Sequence, residues 1–240
     1  AGILLVGLAA LPANRIETAL ANLALAFPGQ TVLVATPDAA PDLSSGGPLQ
    51  VLPYTPQVAP GHSWVLTPSD YAHTFRLAEE HQATTCLLLG AESHTLQPEA
   101  IRSLATAALT FDLTMARYHL GPHEGLVNSA ILYPVTRALF SARPRFPLAI
   151  DLGLSMRMAG RLAAVAQKFH AANQPEAFIW PVAEAAAANY SITEADIGPR
   201  TIPQPAAPDL NAMLTEIVGS LFAEVDAKAA FWQRARNPQS

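Results

Sequence analysis

One carboxylate and one imidazole, Glu92 and His94, follow directly after an apolar run that ends at Gly90. The run TTCLLL reads as a buried strand, and Pro98 opens the next helix. Open α/β sheets bind ligands just beyond the carboxyl ends of their strands. The pattern therefore favours one of two interpretations: a metal site formed by Glu92 with His94, or a solvated carboxylate close to a helix N-terminus.

Two further acids stand where a ligand site or a structural role would both be chemically reasonable. Asp38 follows the apolar strand TVLVA, which favours a contact with a base or a ribose, although Pro37-Asp38 is also ordinary turn chemistry. Asp151 lies inside the apolar stretch PLAIDLGLS, so its carboxylate must find a partner or a ligand. The alternative for Asp151 is a buried acid that caps a helix starting near Ser155.

Arginines in the middle of the chain have the shape to bind an anionic molecule, because a guanidinium matches a carboxylate or a phosphate with paired hydrogen bonds. A surface ion pair competes with that function at each position, and it is the favoured interpretation at all of them except Arg137. The arginines concerned are Arg117, Arg137, Arg143 and Arg145.

Several common cofactor motifs and catalytic motifs are missing from the sequence. The first strand-to-helix turn, VGLAALPAN, has one glycine where a dinucleotide-binding fingerprint needs three. The sequence contains neither a phosphate-binding P-loop nor a Gly-x-Ser-x-Gly elbow. Cys86 is the only cysteine and lies in an apolar run, which indicates a packed thiol in a reducing compartment.

The elements that must position these side chains alternate between strand and helix. Residues 3–8 and 31–35 read as strands on either side of a helix that ends at Pro28-Gly29, with Asn14 and Glu17 as a capping box. We expect the opening apolar run to be a strand rather than a signal peptide, because it lacks a basic leader. Strand, helix and strand in this order predict parallel strands joined by a right-handed crossover.

Later segments extend the pattern and then change it. We expect strands at LQVLPY, TTCLLL and DLTMARYH, and helices at GLVNSAILYPVTRALF, SMRMAGRLAAVAQKF and PVAEAAAANY. A long helix from Asp209 closes the chain. The prediction is a doubly wound α/β domain over residues 1–205, with a C-terminal helical extension over 206–240 that packs on the core or on a second subunit.

Composition limits the range of partners. The 240 residues are 50% hydrophobic and carry a net charge of -5, and no continuous basic stripe offers a surface for nucleic acid. No apolar run reaches the ~18 residues that a bilayer-spanning helix needs. We therefore expect a soluble cytoplasmic protein with no nucleic-acid partner and no transmembrane segment, which could form a homodimer.

One long stretch resembles a known enzyme family. The segment ILYPVTRALFSARPRFPLAIDLGLS is similar to the helix and acceptor loop of the retaining GT-A glycosyltransferases that make glucosyl-3-phosphoglycerate and mannosylglycerate. The likeness extends from Gly2 to about Trp232 and includes FPGQTVLVATPD. It implies a GT-A-like mixed sheet that binds a nucleoside-diphosphate sugar and transfers the sugar to a small acidic acceptor such as a glycerate.

The resemblance also implies roles for individual residues. It places Asp38 near the nucleobase, His62 where the family has a lysine, and Glu92 at the last carboxylate of the family's metal-binding Asp-x-Asp motif. On the acceptor side it points to Asn128, which stands in place of a threonine, and to Asp151 as catalytic residues.

The sequence departs from the family pattern at the metal site. Gly90 replaces the first aspartate of the motif, Phe178 replaces an acid, and Ile202 replaces a metal-binding histidine. Two hypotheses follow. Glu92 binds Mg or Mn together with a substitute ligand, which would be His94, His119 or His123; or the chain is an inactive homologue that serves as a binding or scaffold protein.

Overall fold

The computed structural model describes residues 2–37, 48–54, 64–122, 124–148, 150–203 and 209–234. Three side chains singled out from the sequence, Asp38, His62 and His123, lie outside the described residues. The roles predicted for them stay predictions.

Among the described residues, one seven-stranded mixed sheet forms the centre of the molecule, in the order β3-β2-β1-β4-β6-β5-β7. Only β6 runs antiparallel to its neighbours. The carboxyl ends of the other strands and the amino end of β6 therefore lie along one edge, which we call the carboxyl edge. The strands are β1 (Leu4–Leu8), β2 (Val32–Pro37), β3 (Leu49–Tyr54), β4 (Thr85–Leu89), β5 (Leu113–Tyr118), β6 (Asp151–Ser155) and β7 (Ile192–Gly198).

Helices cover both faces of the sheet. Helices α1 and α3 pack on one face, and the remaining helices contribute to the apolar core on the other face. The α/β class predicted from the sequence is therefore confirmed. The helices are α1 (Ala13–Ala26), α2 (Pro68–Glu80), α3 (Pro98–Ala108), α4 (Tyr133–Phe140), α5 (Met156–Ala171), α6 (Pro181–Ala187), α7 (Leu210–Ala227) and α8 (Ala229–Arg234).

One local prediction about the helices needs correction. The capping box at Asn14 and Glu17 is wrong, because α1 begins at Ala13 after Pro12 and no side chain caps it. The helix predicted around Pro134 is present: residues 126–140 are helical without a break, and a π-helical turn, Asn128–Leu132, leads directly into α4. Proline has no N-H to donate to the preceding turn, and the wider turn accommodates it within the helix.

The C-terminal helices lie on the core of this chain. Ile217, Leu221 and Val225 of α7 are buried in the same apolar cluster as the sheet. Glu184 of α6 fixes this contact, because Lys228 and Arg161 both pair with its carboxylate. Among the described residues, no helix combines the length and apolarity needed to cross a membrane. The division into domains at residue 205 stays a prediction.

At one strand position, the close packing of α3 against the sheet requires a glycine. A Cβ on Gly153 of β6 would lie 2.8 Å from the Cβ of Ala108 and 3.0 Å from the carbonyl oxygen of Leu104. Both atoms belong to α3, whose backbone has little room to move. Gly219 of α7 is the opposite case, since a Cβ there would meet nothing within 4 Å.

Gly153→Ala should lower the free energy of unfolding by about 2 kcal/mol, because the added methyl group overpacks the interface between α3 and the sheet. Gly219→Ala, the matched control, should raise it by about 0.5 kcal/mol through better helix propensity. Urea unfolding followed by circular dichroism measures both values. Equal effects from the two substitutions would contradict the close packing described here.

Candidate functional site

A fully buried ion pair lies at the centre of the carboxyl edge. Asp151 begins β6 and pairs with Leu89, the last residue of β4. Arg200, which follows β7, places Nε 2.6 Å from Oδ2 of Asp151 and donates from Nη2 to Oδ1 at 2.9 Å. Both side chains have 0% exposure. Arg200 is therefore the partner that a carboxylate in this apolar strand was expected to need.

Neutral donors complete the coordination of the Asp151 carboxylate. The hydroxyl of Tyr118 donates to Oδ2 at 2.9 Å, and the backbone N-H of Gly90 donates to Oδ1 at 3.1 Å. Burial and the adjacent carboxylate raise the pKa of Tyr118 well above its ordinary value, so the phenol keeps the proton that it donates. Each carboxylate oxygen therefore has more than one partner within the protein.

Arg200 also fixes the backbone that leads to Glu92. Its guanidinium donates to the carbonyl of Ala91 at 2.8 Å and to that of Thr201 at 2.7 Å. The backbone at Gly90 lies so close to Ile150 that a side chain does not fit, because a Cβ would lie 2.7 Å from the carbonyl oxygen of Ile150. The position of the turn after β4 is therefore set by the buried ion pair.

Glu92 itself adopts a left-handed backbone conformation with φ of 62° and opens a short 3₁₀ turn, Ser93–Thr95. Its carboxylate accepts from the guanidinium of Arg15 at 2.5 Å. The Nε2 of His94 is 3.6 Å from its other oxygen. Asn22, farther along α1, donates to the carbonyls of His94 and Leu96 at 3.2 and 3.0 Å. Helix α1 therefore holds the turn at two places.

The donor set at this turn does not fit a Mg or Mn site. The structure brings Glu92 and His94 together as predicted, but the Glu92 carboxylate is already neutralised by Arg15. Over the described ranges, no three His, Cys, Asp or Glu side chains form a group able to hold a metal ion. Mg and Mn prefer several oxygen ligands, and the other buried carboxylate nearby, that of Asp151, is paired with Arg200.

A cavity of about 760 Å³ opens at the end of β5. Arg117 and His119 of the β5 end both pair with Asp196 of β7, at 2.5 and 2.9 Å. Arg117, and to a smaller extent His119, lower the pKa of Asp196 to about 2. Its lining includes Arg117, His119, Ser129, Tyr133, Arg145 and Phe146.

Arg145 brings an exposed guanidinium to the cavity. Its backbone N-H donates to Glu194 at 2.7 Å, which fixes the main chain, while its side chain is exposed. Within the described part of the chain, that guanidinium has no carboxylate partner. Arg137 is held against Tyr133, whose hydroxyl accepts from it at 3.1 Å, and neither Arg137 nor Arg143 lines the cavity. Arg137, the arginine favoured from the sequence, is therefore outside the site.

Asn128 begins the π-helical turn one residue before Ser129, which lines the cavity. Its side-chain oxygen is buried and has no hydrogen-bond partner among the described residues. Asn128 is thus next to the cavity and keeps a free acceptor atom, and contact with a bound molecule stays a prediction.

Arg15, Tyr118 and Arg200 were not predicted as members of the site. The signal for Arg200 was indirect: an acid buried in an apolar strand requires a cation, and IGPRTI offers an arginine after an apolar segment. Arg15 gave no signal, because an arginine in the first turn of an amphipathic helix is ordinary surface composition. Its partner becomes known only when β1 and β4 are seen side by side.

In sequence, the chain matches no protein-family model and no curated protein. In structure, it matches glucosyl-3-phosphoglycerate synthase from Mycobacterium tuberculosis with Mg²⁺ and UDP at a TM-score of 0.59 and 14% identity, over 94% of this chain and 80% of that one. The same enzyme with Mn²⁺, UDP-glucose and glycerol 3-phosphate gives a TM-score of 0.58 and 16% identity, over 94% and 81%. Its complex with Mn²⁺, UDP and phosphoglyceric acid gives 0.56 and 16%, over 94% and 79%.

These matches confirm the fold. The chain has the GT-A glycosyltransferase architecture that the resemblance of its middle segment implies, including a mixed sheet flanked by helices. At this level of identity the likeness concerns the fold alone.

Arg200→Met should lower the free energy of unfolding by about 3–5 kcal/mol, because it leaves the Asp151 carboxylate buried without a cation. Adding Asp151→Asn to that variant should recover part of the loss, since the uncompensated charge is then removed. Arg76→Met, which breaks a half-exposed pair with Glu80, serves as control and should cost about 0.5 kcal/mol. Equal losses for Arg76→Met and Arg200→Met in urea unfolding would refute the assignment.

Proposed function

We propose that this protein binds a nucleoside-diphosphate sugar at the carboxyl edge and transfers the sugar to a small acidic acceptor, such as a glycerate, bound in the cavity at the end of β5. One observation carries the proposal. An exposed guanidinium, that of Arg145, lines a cavity at the edge where open α/β sheets bind their ligands, in a chain with a GT-A fold.

The donor side rests on the ends of β1, β2 and β4. Helices α1 and α3 begin at this edge, and the unpaired N-H groups at a helix N-terminus favour phosphate oxygens. The structural neighbours hold UDP or UDP-glucose. We propose that Asp38 contacts the nucleoside and that His62 and the turn carrying Glu92 and His94 lie near the diphosphate.

The acceptor side rests on the cavity. Phosphoglyceric acid and glycerol 3-phosphate, present in the neighbouring structures, carry carboxylate or phosphate groups. Arg145 would bind such a group through charge-assisted hydrogen bonds, with Asn128 and Ser129 offering oxygen atoms to the acceptor's hydroxyl groups. Asp151 is too enclosed to touch the acceptor, and we assign it the positioning of the turn after β4 instead.

In the transfer itself, the bond between the sugar's anomeric carbon and the diphosphate oxygen breaks, and its electron pair goes to the diphosphate. A hydroxyl oxygen of the acceptor forms the new bond to that carbon, and its proton passes to the departing diphosphate oxygen. Catalysis requires that positive groups meet the growing charge on the diphosphate. It also requires that the acceptor hydroxyl be held close to the anomeric carbon.

The cellular setting and the oligomeric state are proposed from one thiol and one exposed side chain. We propose the cytoplasm, because the only cysteine, Cys86, is a buried free thiol, as expected in a reducing compartment. A homodimer is also proposed, through the outer side of α7, where Phe222 is 50% exposed.

UDP, GDP and their glucose and mannose derivatives should raise the melting temperature of the protein, because a ligand that binds only the folded state stabilises it by mass action. One of the sugar nucleotides should also yield a labelled glycoside with glycerate or phosphoglycerate. Binding without transfer to either acceptor would favour the inactive homologue. If none of these nucleotides shifts the melting temperature, the proposed function is wrong.

Arg145→Gln should raise the KM for the acceptor at least about tenfold, because it removes charge-assisted hydrogen bonds to the acceptor's anion. The KM for the sugar nucleotide should stay unchanged. Arg143→Gln removes an exposed charge two residues away that does not line the cavity, and it should leave both constants unchanged. An acceptor KM that rises equally in the two variants would contradict a specific acceptor contact.

A further inference from the structure

A permanent positive charge, the guanidinium of Arg15 on α1, lies next to the turn after β4. Arg15, in the first turn of α1, lies against Glu92 at the carboxyl edge, and its side chain is 40% exposed while that of Glu92 is 25% exposed. The pair is therefore accessible from solvent at the place where, under the proposed function, the diphosphate lies.

A divalent cation would have to compete with this arginine for the same oxygens. Among the described residues, two carboxylates lie around the end of β4, and each of them is bound by a guanidinium: Glu92 by Arg15, and Asp151 by Arg200. Binding a metal would require Arg15 to leave, and even then the described residues supply only His94 as a second ligand.

We infer that this protein binds the diphosphate of its donor without a divalent cation, and that the guanidinium of Arg15, held in place by Glu92, supplies the positive charge. This inference rests on the proposed function and concerns how its donor is held.

The chemistry of a guanidinium suits this task. Its donors form a planar fork that matches phosphate oxygens, and Glu92 is bound through only one nitrogen, Nη1. The remaining N-H groups can donate to the diphosphate. When the bond to the sugar breaks, the electron pair passes to the diphosphate oxygen, and Arg15 stabilises the charge that develops there.

A purely structural role for Arg15 makes a different prediction. Asn22 fastens the same turn to the same helix through two hydrogen bonds to backbone carbonyls, and it carries no charge. If Arg15 only holds the turn, then loosening the turn at Asn22 should affect nucleotide binding as strongly as removing Arg15. Asn22→Ala is therefore the matched control.

The test is calorimetric titration of the full chain with UDP, UMP, GDP and GMP, each in EDTA and in excess Mn²⁺. We expect UDP or GDP to bind, and its Kd in EDTA should equal its Kd in Mn²⁺ within about twofold. Arg15→Gln should weaken the diphosphate at least about tenfold and the matching monophosphate much less, and Arg15→Lys should restore part of the affinity. Asn22→Ala should keep the diphosphate affinity, even if it lowers the melting temperature.

The outcomes that overturn the inference are separate from those that overturn the proposed function. Diphosphate binding that needs Mn²⁺ would overturn the inference and leave the proposed function standing, and its loss in Glu92→Gln would place the cation at Glu92. Equal weakening by Arg15→Gln and Asn22→Ala would reduce Arg15 to a structural contact and also overturn the inference. Absence of nucleotide binding in both EDTA and Mn²⁺ would overturn the proposed function, and the inference with it.

Discussion

The ion pair between Asp151 and Arg200 is the constraint on which the carboxyl edge depends. It joins the start of β6 to the segment after β7, and through Gly90 and Ala91 it holds the end of β4. Removing two charges from water is costly, and the cost is offset only when the remaining hydrogen-bonding atoms are also paired. Tyr118 and the backbone groups pair both carboxylate oxygens and both terminal nitrogens of Arg200, so the pair can fix the geometry of three strand ends.

A second carboxylate at the same edge, that of Glu92, is also paired with an arginine. Glu92 lies directly after the backbone that Arg200 fixes, and Arg15 neutralises it from α1. The buried pair of Asp151 and Arg200 determines the position of Glu92. The partly exposed pair of Arg15 and Glu92 determines the charge at that position. Metal sites for Mg or Mn collect several oxygen ligands, whereas the two carboxylates that the structure describes around the end of β4 each have a guanidinium partner.

The sequence allowed the α/β class to be predicted, because apolar runs such as LLVGL and TCLLL identify buried strands without reference to distant residues. It also pointed to the end of β4, where Glu92 and His94 lie close together in the structure. It also showed that Asp151 needs a partner. The identities of the partners could not be predicted, since Arg200 is 49 residues from Asp151 and Arg15 is 77 residues from Glu92. Such contacts depend on strand order, and strand β7, which precedes Arg200, has too little apolar periodicity to be recognised although it is seven residues long.

A guanidinium and a metal ion differ as sources of positive charge. Arginine keeps its proton throughout the physiological pH range, so its charge does not depend on pH or on metal supply. The side chain of Arg15 is partly exposed, so the binding energy it would contribute decreases as the ionic strength rises. A metal-dependent site responds mainly to chelators. Because Arg15 is anchored by Glu92 before any ligand arrives, little side-chain entropy is lost on binding. Under the inference drawn above, the ion pair that competes with a cation at this turn also holds Arg15 ready to stabilise the charge of the diphosphate.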